Sequence, residues 1–139
     1  MLSAYPACFI KEDNGYSVIF PDLNYLATCG DTLDDAFAMA IDCLAGYLHS
    51  CKIDGEKAQA PSSLAEINAA DVARELEIES KEAFVNMVTV DVEEYAKKHF
   101  EKSVKKTLSI PAWLNDRAVA EGINFSQALQ ETLRARLGI

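Results

Sequence analysis

From Lys105 to Ser109 the chain reads Lys-Lys-Thr-Leu-Ser, placing ammonium and hydroxyl groups at alternating positions. In an extended chain, successive side chains point to opposite faces. Lys105, Thr107 and Ser109 then share one face, and Lys106, Leu108 and Ile110 the other. The first face offers a cation to phosphates and hydroxyl donors and acceptors to base edges, which is the chemistry of reading DNA through the major groove. Asn124, Phe125 and Ser126 open a later helix, whose first N–H groups suit a phosphate oxygen. Lys105, Lys106, Thr107, Ser109, Asn124, Phe125 and Ser126 are the candidate nucleic-acid contacts.

Chemistry elsewhere is sparse. Cys8, Cys29, Cys43 and Cys51 include no C-x-x-C pair and read as small apolar residues of a reducing compartment. His49 and His99 lack ligand spacing, so no metal or other cofactor is expected. No stretch is long and apolar enough to cross a membrane. The start of the chain lacks the basic-then-apolar pattern of a signal peptide, so a cytoplasmic location is expected.

The candidate contacts need elements to hold them. Pro111 marks a helix start, because the donor it lacks is one a first helical turn does not use. The spacing predicts a helix from about Ala112 to Glu121, a stop at Gly122, and a second helix capped by Asn124 or Ser126 that buries Leu129, Leu133 and Leu137. A strand and two helices in about 36 residues are too few to enclose a core. A dimer solves this: two strands pair antiparallel, four helices cover their inner face, and the outer face carries two copies of Lys105, Thr107 and Ser109.

The preceding body is built differently. "YPACFIKEDNGYSVIFPDL" predicts a hairpin turning at Asn14-Gly15, and "YLATC" a third strand. "TLDDAFAMAIDCLAGYLHSC" predicts a long helix capped by Thr32, with Leu33, Phe37, Ala40, Ile41, Leu44 and Leu48 as its apolar stripe. Short helices follow, capped at Asn68 or Asp71. "AFVNMVTVDV" is apolar on both faces and reads as a central strand. The fold class is α+β: a sandwich of one sheet and one main helix, then a strand-helix-helix tail. The expected divisions are 1–95, a connector at 96–103, and 104–139.

Charge follows the same division. The 139-residue chain carries a net charge of -9, but residues 1–102 hold 19 carboxylates against 8 Lys/Arg, while residues 103–139 hold 3 against 5. An acidic body and a mildly basic tail prefer different partners.

These segments together resemble HicB antitoxins. "GYSVIFPDLNYLATCGDTLDDAFAMAIDCL" is similar to the first domain of that family: a Gly-aromatic strand, F-P-D-L, a G-D-T helix start and an acidic-Ala first turn. "QAPSS" sits at the family's Pro-Ser segment, and "AFVNMVTVDVEEY" is similar to its last strand. The tail resembles ribbon-helix-helix transcription factors; some relatives carry helix-turn-helix instead, but Pro111 and the alternating strand favour the ribbon. The resemblance implies a partial RNase H-like first domain that binds a HicA-like toxin, a small basic mRNA interferase with a catalytic histidine. It also implies a homodimeric second domain that binds the operon's own operator DNA and represses it. Pairing of dimers into tetramers through the first sheet stays open. An acidic body suits a basic partner, and Glu12, Asp13, Tyr16, Asp22 and Asp31 are the candidate toxin contacts.

An enzyme is not expected. Metal-dependent nucleases gather several carboxylates on Mg²⁺. RNase H-like enzymes place one in the middle of the first strand, and Ala4 to Ile10 contains none. Asp31, Asp34 and Asp35 cluster at a helix start, where capping and the helix dipole account for them. The alternative is a ribbon-helix-helix regulator whose acidic domain senses a small ligand.

Overall fold

The computed structural model describes residues 1–101 and 103–139. The chain forms two compact units, Met1–Lys102 and Ser103–Ile139.

The first unit contains β1 (Leu2–Glu12), β2 (Gly15–Phe20), a 3-10 turn (Pro21–Leu23), β3 (Leu26–Gly30) and α1 (Leu33–Asp54). A second 3-10 turn (Leu64–Glu66), α2 (Ala69–Glu75), β4 (Ala83–Asp91) and α3 (Val92–His99) complete it. The four strands make one antiparallel sheet in the order β3-β2-β1-β4. β1 is central, and its stretch Tyr5 to Ile10 is buried without interruption. On one face Tyr5, Ala7, Phe9, Val18 and Phe20 pack under Ala36, Ala40, Leu44 and Ala45 of α1. Phe9 stacks on Phe84, ring centres 5.1 Å apart, and leans on Phe37 at 4.5 Å. On the other face Cys8, Ile10 and Ile19 pack under Ala69, Val72 and Ala73 of α2.

In this unit three expectations about the hairpin, β4 and the connector need correction. The hairpin loop is Asp13-Asn14, with Glu12 paired to Gly15; Asn14 does not take a positive φ. Gly15 does take a positive φ, 145°, and it serves a second purpose: a Cβ there would collide with the carbonyl oxygen of Gly30 on β3. Gly30 in turn lies against the start of α1, where a Cβ would fall 2.7 Å from Ala36 Cα. Two absent side chains let hairpin, β3 and helix meet, which no propensity rule for turns contains.

The second correction concerns β4, expected at the centre and found at the edge. It reads as a central strand because helices cover both its faces. Val88 and Val90 join the core under α1, and Val85 the core under α2 with Ile67 and Ile78. The body is thus a sheet covered on both faces, not on one. The third correction is to the connector. Residues 96–99 belong to α3, Ala96 is buried, and Phe100 packs on the core. Tyr95 donates a 2.9 Å hydrogen bond to Asp42 of α1, fixing α3 to the body. Lys102, also in that expected connector, lies outside the described residues.

Thr32 caps α1, its hydroxyl accepting from the Asp35 N–H at 3.1 Å, and Gly55 ends it at φ 69°. Asn68, not Asp71, caps α2. The stripe of α1 departs from expectation at Leu33, which is exposed, and at Ala36 and Ala45, which are buried; Cys51 continues it as expected. Small residues sit where backbone approaches sheet most closely.

In the second unit α4 (Ala112–Ala120) and α5 (Phe125–Leu137) flank a turn at Gly122, φ 69°. Residues 104–110 form no strand in the single chain. A strand is defined by its pairing, and no segment of this unit is available to pair with it.

Cys8 is fully buried, and burial pushes its thiol up from 9.0 to about 11. The unfolded chain therefore releases this proton first as pH rises. Stability contributed by the protonated thiol is complete below pH 9 and declines toward pH 11. Urea midpoints measured across that range should fall, and Cys8→Ala should flatten the slope.

Candidate nucleic-acid and partner interfaces

The acidic candidates separate into two environments. Glu12 ends β1 and Asp13 begins the hairpin loop. Tyr16 pairs with Gly30, so Asp31 follows directly beside the hairpin. Glu12, Asp13, Tyr16 and Asp31 therefore meet at one end of the sheet, next to the start of α1 with Asp34 and Asp35. Glu12, Asp13 and Asp31 are exposed, and Tyr16 is half-buried against the core. Glu12 accepts a hydrogen bond from the Ser17 hydroxyl. Lys11 pairs with Glu82 at 3.6 Å, which leaves the remaining charge of this end negative.

Asp22 does not belong with them. It is only 6% exposed. Its carboxylate accepts from the Ser62 N–H at 2.8 Å, the Ser62 hydroxyl at 2.7 Å and the Gln59 amide at 3.4 Å. Tyr5 donates to the Gln59 carbonyl at 2.7 Å. Burial and the Asp22 carboxylate together hold the Tyr5 phenol above its usual range. Asp22 is thus an internal bracket that fixes the "QAPSS" segment to the turn after β2. Its acidity is spent on three donors inside the protein, and a surface contact role is corrected accordingly.

After this bracket, Asn24 and Tyr25 both take left-handed backbone, φ 57° and 56°. Tyr25 is exposed and its hydroxyl donates to Glu75 at 2.9 Å. The sequence places Tyr25 at the start of the third strand, but it stands before β3 in left-handed backbone, for which a tyrosine carries no preference. A groove of about 690 Å³ in the first unit lies between α1 and α3 and includes Leu48, His49, Lys52, Val92 and Lys97. It is open to solvent.

Lys105, Lys106, Thr107 and Ser109 are all exposed, as are Asn124, Phe125 and Ser126. The Asn124 side chain caps α5 by accepting from the Gln127 N–H at 3.1 Å. Among the described residues the N–H groups of Phe125 and Ser126 have no acceptor, so they remain available for an anion. None of the residues 103–139 is buried. Leu108, Ile110, Leu114, Ile123, Leu133 and the 65% exposed Trp113 give this small unit an uncovered apolar surface.

Among the described residues, no group of three His, Cys, Asp or Glu is placed to hold a metal ion. No described helix is long and apolar enough to cross a membrane. β1 runs past the expected strand to Glu12, so its one carboxylate stands at the strand end and not in its middle.

Asp22→Ala leaves the half-buried Ser62 donors without their acceptor. It should cost about 2–3 kcal/mol, read as a lower urea midpoint with unchanged slope. Limited proteolysis should then cut near residues 56–63 faster than in the parent chain.

The family model described as HicB-like antitoxin of bacterial toxin-antitoxin systems matches residues 5–131. A solved structure described as a toxin-antitoxin complex from Streptococcus pneumoniae is 30% identical, with a TM-score of 0.63. The match covers 98% of this chain and 99% of that one. A HicA3 and HicB3 toxin-antitoxin complex is similar in fold, at 19% identity and a TM-score of 0.51, over 64% of this chain and 99% of that one. No curated sequence matches.

Proposed function

Because the chain belongs to the HicB-like antitoxin family of bacterial toxin-antitoxin systems, we propose that it neutralises a small basic HicA-like mRNA interferase and represses its own operon. The first unit binds the toxin through the acidic end of its sheet. Glu12, Asp13, Tyr16 and Asp31 carry the contact, and inhibition is occlusion of the toxin's RNA-binding face. The unit is a partial RNase H-like domain that acts by binding and not by catalysis. Complementary charge speeds the encounter with a basic protein and makes it salt-dependent.

The second unit is a ribbon-helix-helix dimer. The observation that carries this reading is its surface: no residue of 103–139 is buried, although the unit has apolar side chains along both helices. A second copy supplies the missing core and the missing strand partner together. Leu108 and Ile110 then turn inward, and Lys105, Thr107 and Ser109 turn toward the major groove. Lys106 and the free N–H groups at Phe125 and Ser126 hold flanking phosphates, with Asn124 shaping that helix end. With α3 counted in the body, the working division falls at the start of the second unit, Ser103.

Co-expression with the adjacent short reading frame tests the whole reading. A small basic protein should co-purify in fixed ratio and its growth arrest should be relieved; no bound protein would remove the antitoxin mechanism. Deleting 103–139 should abolish operator binding and leave neutralisation intact. Reversing Glu12, Asp13 and Asp31 to Lys together should weaken toxin binding by at least about 10-fold at low salt, with a smaller effect at high salt. Thr107→Ala with Ser109→Ala should reduce discrimination between operator and random DNA by about 10-fold. Unchanged discrimination would show that this face does not read bases.

A further inference from the structure

Asparagine is among the thermally labile residues, and of the asparagines in this chain Asn14 alone precedes a glycine. That order matters chemically. The backbone nitrogen of the following residue can attack the side-chain carbonyl carbon, and a glycine puts no side chain in its way. The structure separates Asn14 from the others. Asn24 donates its amide to the Tyr47 hydroxyl at 3.3 Å, and the side-chain oxygens of Asn68 and Asn124 accept from the Asp71 and Gln127 N–H groups as helix caps. Asn86 lies within β4 and Asn115 within α4, where ring closure would break regular backbone pairing. Asn14 is exposed in the two-residue hairpin loop. The side-chain hydrogen bond at this turn runs from Ser17 to Glu12 and does not involve it. For the ring to close, only the pair Glu12–Gly15 at the end of the ladder has to open, and end pairs open at little cost. The glycine cannot be exchanged for a slower neighbour, because a Cβ there would collide with Gly30. Packing of the sheet thus imposes the reactive pair.

We propose that Asn14 is a site of self-modification: it closes with Gly15 to a succinimide that opens to aspartate or isoaspartate, and isoaspartate there disables the hairpin end as a toxin contact. The Gly15 nitrogen gives up its proton and bonds to the Asn14 side-chain carbonyl carbon. That carbon releases its amide nitrogen, which leaves with the proton as ammonia. Water then splits the ring at either carbonyl, so the sum is a side-chain amide plus water giving a carboxylic acid and ammonia. The two products act differently. Aspartate adds a charge beside Glu12, Asp13 and Asp31 and leaves the backbone as it was. Isoaspartate sends the main chain through the side-chain methylene, which lengthens a loop of two residues. The pairing of Glu12 with Gly15 and the seat of Gly15 on Gly30 then cannot both hold, and Glu12 and Asp13 move away from Asp31. The modification stands on the turn alone, and its consequence rests on the toxin contact proposed for this end.

The full chain, aged in mildly alkaline heavy-oxygen water at physiological temperature, returned to ordinary water and cut with trypsin, tests the modification. The peptide 12–52 should separate into an unchanged form and two heavier forms, with the heavy oxygen at residue 14 and not at Asn24. A protein-isoaspartate methyltransferase should label one of the two. Asn14→Gln should stay unmodified, because its longer side chain closes a larger ring more slowly. A folded chain unchanged at residue 14, or one that ages as fast at its other asparagines, would overturn the site. The small basic protein that co-purifies on co-expression tests the consequence. The isoaspartate form should bind it at least about 10-fold more weakly, as the charge reversal at this end should, whereas Asn14→Asp and aged Asn14→Gln should bind it as the fresh parent does. Undiminished binding by the isoaspartate form overturns the disabling step. If reversal of Glu12, Asp13 and Asp31 still weakens binding, that step alone falls; if it does not, the toxin contact at the hairpin end falls as well.

Discussion

Backbone N–H and C=O groups must be matched or left to water, and this constraint organises both units. β1 satisfies it on both sides, paired to β2 and β4, and so becomes the strand around which two cores form. β3 satisfies it on one side, and α1 shields the other. That arrangement depends on Gly15 and Gly30, whose missing side chains let three backbones approach. In the second unit residues 104–110 cannot satisfy it within one chain. The same segment presents the polar residues proposed to read DNA. Its incompleteness as a fold and its proposed function as a dimeric ribbon therefore have one physical origin.

The local elements were legible because local chemistry fixes them. Thr32 and Asn68 have side-chain oxygens that cap helices, and the structure uses both. Asn124 does the same for α5, and Gly122 supplies the left-handed turn before it. What was not legible depends on residues far apart in sequence. The hairpin signal at Asn14-Gly15 located the hairpin, but the glycine answers to Gly30, fifteen residues away in the chain and adjacent in the sheet. β4 looked central because apolarity on both faces reports helices above and below, not strands on either side. Pattern along a strand reveals what covers its faces. It carries no information about which of its two edges is paired.

The acidic residues make the same distinction at the candidate site. Asp22 and Asp31 are one residue type in neighbouring motifs, F-P-D-L and G-D-T. Composition assigns both to an acidic surface. Asp22 instead points inward and ties a segment forty residues later to the turn after β2, through both Ser62 donors. Asp31 stays outside with Glu12 and Asp13 because it follows a strand end where Gly30 already occupies the space against α1. A buried carboxylate is tolerable only where donors converge on it. Once the donors at Ser62 and Gln59 are accounted for, Asp22 has a structural task, and the toxin contacts proposed for the first unit contract to those at the hairpin end. The negative charge of the body is therefore not spread evenly over its motifs. Glu12, Asp13, Asp31, Asp34 and Asp35 come together where the turn of the first hairpin, the end of β3 and the start of α1 meet, while Asp22 holds the scaffold in place.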